Sequence, residues 1–253
     1  MITSAKYNML YPPLVARIYE EERRNEKATK TRLHQMFGAY VQGNAHKKAA
    51  ALLANLENGA DVLEIVTAGL ALHASTKERL PHLAEFCEFV SSHTGSVERL
   101  MDLGCGFNPF AVPFWPWQLK AYHAHDIDTR TSDLLNRFFA LQGLPLFAAC
   151  ADLITETPPH KVELALMCKL IPVLEAQAAG RGFELARQLN AKFLVITYPL
   201  KSLGGREKGM GKNYTAQFER ALDEGKLGQY KLVAGAEVGN ELVYVLNLRT
   251  EGF

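Results

Sequence analysis

The sequence is short of several things, and each shortage removes a class of protein. Only four cysteines, Cys87, Cys105, Cys150 and Cys168, are spread through 253 residues, with no C-x-x-C pair. That spacing excludes a zinc-ribbon pattern and offers no disulfide framework; three lie in apolar, strand-like surroundings, so all four read as reduced core thiols. No window approaches about 18 uninterrupted apolar residues. The nearest, FNPFAVPFWPW, is broken by Pro109, Pro113 and Pro116. The first residues lack a basic stretch followed by an apolar one, so no signal peptide is expected. Internal repeats and low-complexity tracts are absent. The expectation is a soluble, cytoplasmic protein with no membrane partner and no metal.

Charge of one sign is also missing: the net charge is only +1. Locally the balance differs. Residues 17–48 carry eight cations (Arg17, Arg23, Arg24, Lys27, Lys30, Arg32, Lys47, Lys48) against Glu20, Glu21, Glu22 and Glu26. Residues 201–212 carry Lys201, Arg206, Lys208 and Lys212 against Glu207. Such clusters are either solvated faces or the footprint of a polyanion.

What is present has two parts. Up to about residue 95 the pattern is helical. PPLVARIYEEERR puts Leu14, Val15, Ile18 and Tyr19 on one stripe, and AHKKAAALLANLE is rich in helix formers. ASTKERLPHLAEFCEFVSS places Ser75 and Glu78 at capping-box spacing ahead of Leu80, Leu83, Phe86 and Val90. Beyond Gly95, short apolar runs alternate with helical stretches: VERLMDLG, AYHAHDID, PLFAACADL, VELALMCKLIP, the helix-like EAQAAGRGFELARQLN, and AKFLVITYP. YKLVAGAEV and NELVYVLNL close the chain as an antiparallel pair. Apolar strands alternating with helices predict an α/β, Rossmann-like sheet covered on both faces. The expected organisation is a helical N-terminal domain, 1–95, followed by a Rossmann-like domain, 96–253.

Chemistry-bearing residues fall at the ends of those strands. In MDLGCGFNP, Asp102 precedes a turn through Gly104, Cys105 and Gly106, where glycine lets the backbone pass close to a small molecule. Asn108 and Pro109 suit the N-cap and first position of a helix. The dinucleotide fingerprint fails, because Pro109 takes the third glycine's place. An acid before the G-x-G favours a ligand with a positive centre, such as S-adenosylmethionine (SAM), whose sulfonium and ammonium are both cationic; a plain strand-to-helix turn remains the alternative. Asp126 ends the second strand, where a carboxylate accepts hydrogen bonds from ribose hydroxyls; its neighbour Asp128 reads as solvated. Asp152 and Leu153 follow the third strand, at an adenine-contacting position or a helix N-cap. Lys169 ends the fourth strand, facing the crevice or snorkelling to the surface. Arg79 is either a solvated first-turn residue or a fork for the SAM carboxylate.

Together, LHASTKERL, DLGCGFNPF, MCKLIP and SLGGREKGMGKNY resemble the Arm/Rmt family of aminoglycoside-resistance 16S rRNA methyltransferases, with TRLHQMFGAY extending the likeness into the N-terminal part. The resemblance implies SAM as cofactor, and transfer to guanine N7 in helix 44 of the decoding site, on 16S rRNA within the 30S subunit. It implies a cofactor site of His73, Arg79, Asp102, Gly104, Cys105, Gly106, Asp126, Ile127, Asp152, Leu153 and Leu170. Lys169 and Arg206 are implied as positioning residues. RNA contacts are expected from Arg17, Lys30, Arg32, Lys169, Arg206, Lys208, Met210, Lys212 and Tyr214, with the loop 202–214 gripping phosphates and ordering on docking. Other enzymes in view are a SAM-dependent methyltransferase acting on another RNA or on a small molecule; a different class is a binding module without catalysis.

Overall fold

The computed structural model describes residues 7–37, 40, 43–145, 147–201 and 210–248, with the side chain of residue 210 outside that set. Seven strands form one sheet: β1 (Arg99–Leu103), β2 (Ala121–Asp126), β3 (Phe147–Cys150), β4 (Val162–Cys168), β5 (Ala191–Pro199), β6 (Tyr230–Val238) and β7 (Glu241–Leu248), in the order β3-β2-β1-β4-β5-β7-β6. The first five are parallel, and β7 runs antiparallel between β5 and β6. From β1 the chain moves outward to β2 and β3, then returns to the other side of β1 as β4. Ligands of open α/β sheets bind where that direction reverses, beyond the carboxyl ends of the strands.

The central strands are almost wholly apolar because both faces are covered. Leu100, Tyr122, Leu164, Leu166 and Val195 share one core with α3 (Ala45–Glu57), α4 (Val62–Leu70), α6 (Leu83–Thr94) and α7 (Thr129–Leu141). Met101, Leu103, Ala165, Met167 and Ile196 face the other way, onto α8 (Ile171–Glu175), α9 (Arg181–Gln188) and α10 (Met210–Asp223). The first of these cores runs across residue 95: Ala49, Leu53, Val66 and Phe86 pack with Phe110 and Phe138. A separate small cluster of Leu10, Leu14, Ile18, Leu33 and Phe37 joins α1 (Pro12–Glu21) to α2 (Glu26–Phe37).

Several local expectations need correction. Ser75 does not cap a helix: α5 (Ala74–Arg79) starts one residue earlier with His73 at its N-cap, and Thr76 Oγ1 donates to the Leu70 and His73 carbonyls. Pro81 sits in a 3-10 turn, Leu80–His82, that separates α5 from α6. The stretch after β4 is two helices, because Gly180 adopts φ +84 between α8 and α9. Asn108 is not an N-cap; it begins a 3-10 helix, Asn108–Phe114, and its side chain turns inward.

Phe138, fully buried on α7, lies 4.8 Å from the Phe110 ring. Phe138→Ala should lower equilibrium stability by about 3–5 kcal/mol in urea unfolding, the usual cost of an aromatic-sized core deletion. A loss under about 1 kcal/mol would contradict the shared core described for α3, α4 and α7.

Candidate functional site

The site grows from the turn after β1. Gly104 and Gly106 have φ of +63° and +49°, which glycine tolerates and other residues rarely adopt. Space is equally restrictive: a Cβ on Gly104 would lie 2.8 Å from Leu170 Cδ1, and one on Gly106 would lie 2.6 Å from His73 Nε2. The turn is held from β2, since Gly106 N donates to Asp126 Oδ2 at 2.8 Å. Asp126 Oδ1 accepts from the backbone N–H of Ile127 (2.7 Å) and Asp128 (3.1 Å). Its carboxylate is therefore fixed at the rim of a cleft with about 950 Å³ of empty space, counted out to solvent. Apolar walls come from Leu14, Ile127, Leu153, Ile154, Leu170 and Val173.

The opposite wall is charged. Arg79, only 4% exposed, donates from Nη1 to Asn108 Oδ1 and from Nη2 to Glu241 Oε2, both at 2.8 Å. Lys169 Nζ donates to Glu78 Oε2 at 2.7 Å and lies 3.4 Å from Glu241 Oε1. Thr197 Oγ1 also donates to Glu241. Burial alone would push the Glu241 carboxyl up, but the Arg79 and Lys169 charges hold it below the usual carboxylate range. Lys169 has φ +55°, a costly backbone for a non-glycine, and its N–H bonds the Thr197 carbonyl and hydroxyl. Behind this wall Asn108 Nδ2 and Tyr122 Oη both donate to Asp102 Oδ2 at 2.7 Å. Burial raises the Asp102 carboxyl to about 6 and lowers the His73 imidazole to about 3. Burial also raises the Cys105 and Cys168 thiols, which leaves them unreactive. His73 Nδ1 and Arg79 Nε are buried without a hydrogen-bond partner among the described residues.

The expected cofactor residues therefore converge, with adjustments. His73, Arg79, Gly104, Cys105, Asp126, Ile127, Asp152, Leu153, Leu170 and Lys169 line the cleft. Asp102 stands behind it and reaches it through Asn108 and Arg79. Gly106 shapes it by holding Asp126. Asp128 is not solvated: it is 1% exposed, caps α7 through the Arg130 N–H, and pairs with the Arg130 side chain.

The expected RNA contacts divide differently. Arg17 is turned inward and grips Asp152 with Nε at 2.6 Å and Nη2 at 3.1 Å. Lys30 pairs with Glu26, and Arg32 with Glu21 and Glu22. The exposed cations of this region that have no acidic partner among the described residues are Arg23, Lys27, Lys47 and Lys48. Tyr214 is half-buried with its ring stacked on Tyr198 at 5.0 Å, and Lys212 is exposed on α10. Arg206 and Lys208 lie outside the described residues, as does the side chain of Met210. Glu78, Glu241, Asn108 and Tyr40 were not anticipated as site residues. A single acid opening the apolar strand ELVYVLNL was the one available sign of Glu241.

Asp102 makes a pH-dependent contribution. Its folded pKa of about 6 lies above the unfolded value of about 3.9. Stability linked to this group is thus fully present below about pH 4 and is lost as pH rises through about 6. Asp102→Asn should remove that loss, on the order of 2–3 kcal/mol between pH 4 and 7, and flatten the pH profile of the urea midpoint. An unchanged profile would contradict the assignment.

Residues 3–245 match the model of the family described as Ribosomal RNA methyltransferase (FmrO). The chain is 35% identical over 227 residues to the 16S rRNA (guanine(1405)-N(7))-methyltransferase of Micromonospora echinospora, covering 87% of this chain and 81% of that protein. To the protein of the same description from Serratia marcescens it is 34% identical over 253 residues, covering 97% and 95%. The crystal structure of the 16S rRNA methyltransferase RmtF in complex with S-adenosyl-L-homocysteine is similar with a TM-score of 0.86 at 36% identity, over 98% of this chain and 95% of that one. With its sheet order, glycine turn and strand-end acids in place, the chain belongs to the FmrO family of ribosomal RNA methyltransferases.

Proposed function

We propose that the protein transfers the methyl group of SAM to N7 of a guanine in helix 44 of 16S rRNA, within the 30S subunit, and so confers aminoglycoside resistance in the cytoplasm. The observation that carries this reading is the near full-length likeness to proteins described as 16S rRNA (guanine(1405)-N(7))-methyltransferases.

The cleft suits the cofactor. SAM has an apolar adenine face, ribose hydroxyls, a sulfonium and a zwitterionic amino-acid end. The cleft has apolar walls, a fixed carboxylate at Asp126 for ribose hydroxyls, and a buried end where Arg79 Nε and His73 Nδ1 lack partners among the described residues. When bound, SAM supplies an electrophilic methyl group. The protein's part is to hold the acceptor in line and keep water out. No side chain of the cleft among the described residues is poised as a general base: His73 is too weak at a pKa of about 3, Asp126 is engaged by three backbone N–H groups, Asp152 is held by Arg17, and Lys169 is held by Glu78 and Glu241. Guanine N7 presents a lone pair and no proton, so it needs none.

We assign RNA docking to the helical part, residues 1–95, with Arg23, Lys27, Lys47 and Lys48 as its exposed charges, and cofactor binding and catalysis to residues 96–253. Arg206 and Lys208 are assigned to RNA phosphates from the resemblance alone.

Methyl-labelled SAM should transfer label to 30S subunits far faster than to an isolated helix 44 hairpin. A surface spread over several helices reads shape beyond one short duplex. Equal turnover on the hairpin would contradict the docking role, and label on neither would contradict the enzyme reading. The single-turnover rate at saturating SAM and 30S should be flat between about pH 7 and 8.5. A tenfold rise per pH unit would mean that a proton leaves the acceptor, pointing away from N7.

A further inference from the structure

A second cavity, with about 1050 Å³ of empty space counted out to solvent, adjoins the cofactor cleft. The two share Met36, Tyr40, Lys169, Val173 and Gln177 along their boundary. Its rim includes Tyr214, stacked on Tyr198. Four charged residues line it, Lys169, Glu78, Arg32 and Lys201; of these only Lys169 also lines the cofactor cleft, and Glu78, on α5, is its ion-pair partner. Glu78 Oε2 is taken by Lys169 Nζ at 2.7 Å, whereas Oε1 has no hydrogen-bond partner among the described residues. The Glu78 side chain is 30% exposed and that of Lys169 only 6%. Conventional surface ion pairs do not look like this; one partner is buried and the other is aimed at an empty cavity.

We propose that Lys169 and Glu78 together read the target base, Lys169 donating to guanine O6 and Glu78 accepting from guanine N1–H. This rests on the reading of the protein as a guanine-N7 methyltransferase. The argument is one of order around the purine. From N7 the guanine edge runs acceptor O6, then donor N1–H, then donor N2–H. From the cofactor cleft outward the protein runs donor Lys169, then acceptor Glu78. A base seated in the cavity with N7 toward the cleft meets both groups in the matching sequence. Adenine presents the inverse, an amino donor where Lys169 stands and a bare N1 acceptor where Glu78 stands. Both contacts are then mismatched, and a well-made pair of base contacts discriminates by roughly tenfold to a hundredfold.

The same arrangement favours the transition state. Methylation puts positive charge on the purine ring and makes N1–H a stronger donor, so its bond to the Glu78 carboxylate strengthens as the methyl moves. Interactions that grow along the reaction coordinate raise the rate, not merely the affinity. Glu78 stays ionised throughout, and no proton is transferred.

The test uses Glu78→Gln, which keeps the shape and an acceptor for Lys169. Three readouts are needed: SAM affinity by calorimetry, the single-turnover rate on 30S subunits, and that rate on 30S subunits reassembled with 2-aminopurine at the methylated position. 2-Aminopurine keeps N7 and the 2-amino group but lacks O6 and N1–H. The wild-type protein should bind SAM and should methylate guanine about tenfold to a hundredfold faster than 2-aminopurine. The variant should bind SAM within about twofold of wild type, methylate guanine at least about tenfold more slowly, and show a guanine to 2-aminopurine ratio narrowed by about tenfold, because its amide can donate to the bare N1. An unchanged ratio, or a wild-type rate on guanine, would overturn the proposal while leaving the function intact. Loss of SAM binding in the variant would make Glu78 a support of the cofactor site and would also overturn it. Absence of N7-methylguanine after treatment with the wild-type protein would overturn the function itself, and this proposal with it.

Discussion

The structure turns on a buried ion network in which Glu241 is flanked by Arg79 and Lys169. The three residues come from α5, the end of β4 and the start of β7, elements far apart in sequence that meet only if the sheet order is right. Charges this deep are tolerable only when paired and hydrogen-bonded, and removing one member of such a set leaves its partners uncompensated at a cost of about 3–5 kcal/mol. The network therefore constrains the fold and the site at once. Lys169 joins it from a left-handed backbone at a strand end, while its N–H stays bonded to Thr197. The network also places two paired cations, Arg79 and Lys169, in the cleft lining with Asp126.

A second link ties the helical N-terminus to the same cleft. Tyr11 N donates to the Ile127 carbonyl, and Thr129 N to that of Met9, both at 2.8 Å, so residues 9–11 run beside the loop that carries Asp126 to Asp128. Arg17 then neutralises Asp152 across the cleft wall, and Leu14, Met36 and Phe37 complete the lining. The region expected to meet RNA is thus also part of the cofactor's enclosure. A force on α1 and α2 would act directly on residues that line the cleft.

Much of this was legible in the sequence, for physical reasons. Strands buried on two faces must be apolar throughout, so β1, β4 and β5 stood out; Gly104 and Gly106 marked a turn that admits no Cβ. Asp126 followed from its place at the end of the second strand. What could not be read depended on tertiary pairing. Arg17 looked like a surface cation until Asp152 was brought beneath it, and Asp128 looked solvated until α7 began on it. Asn108 has a cap-forming residue type, but a buried carboxylate at Asp102 and a guanidinium at Arg79 claim its amide instead. Glu241 is the clearest case, since an acid at the head of an apolar strand has no meaning until two cations arrive from elsewhere.

On the proposed function, the crevice beyond β1 and β4, lined by Asp126, holds the methyl donor. Titration calorimetry of SAM against the wild-type protein and Asp126→Ala tests it most directly. The wild type should show one site per chain, and the variant an affinity lower by about tenfold to a hundredfold, the worth of a charged hydrogen bond of about 1.5–3 kcal/mol. A folded Asp126→Ala protein that bound SAM as tightly as the wild type would contradict it.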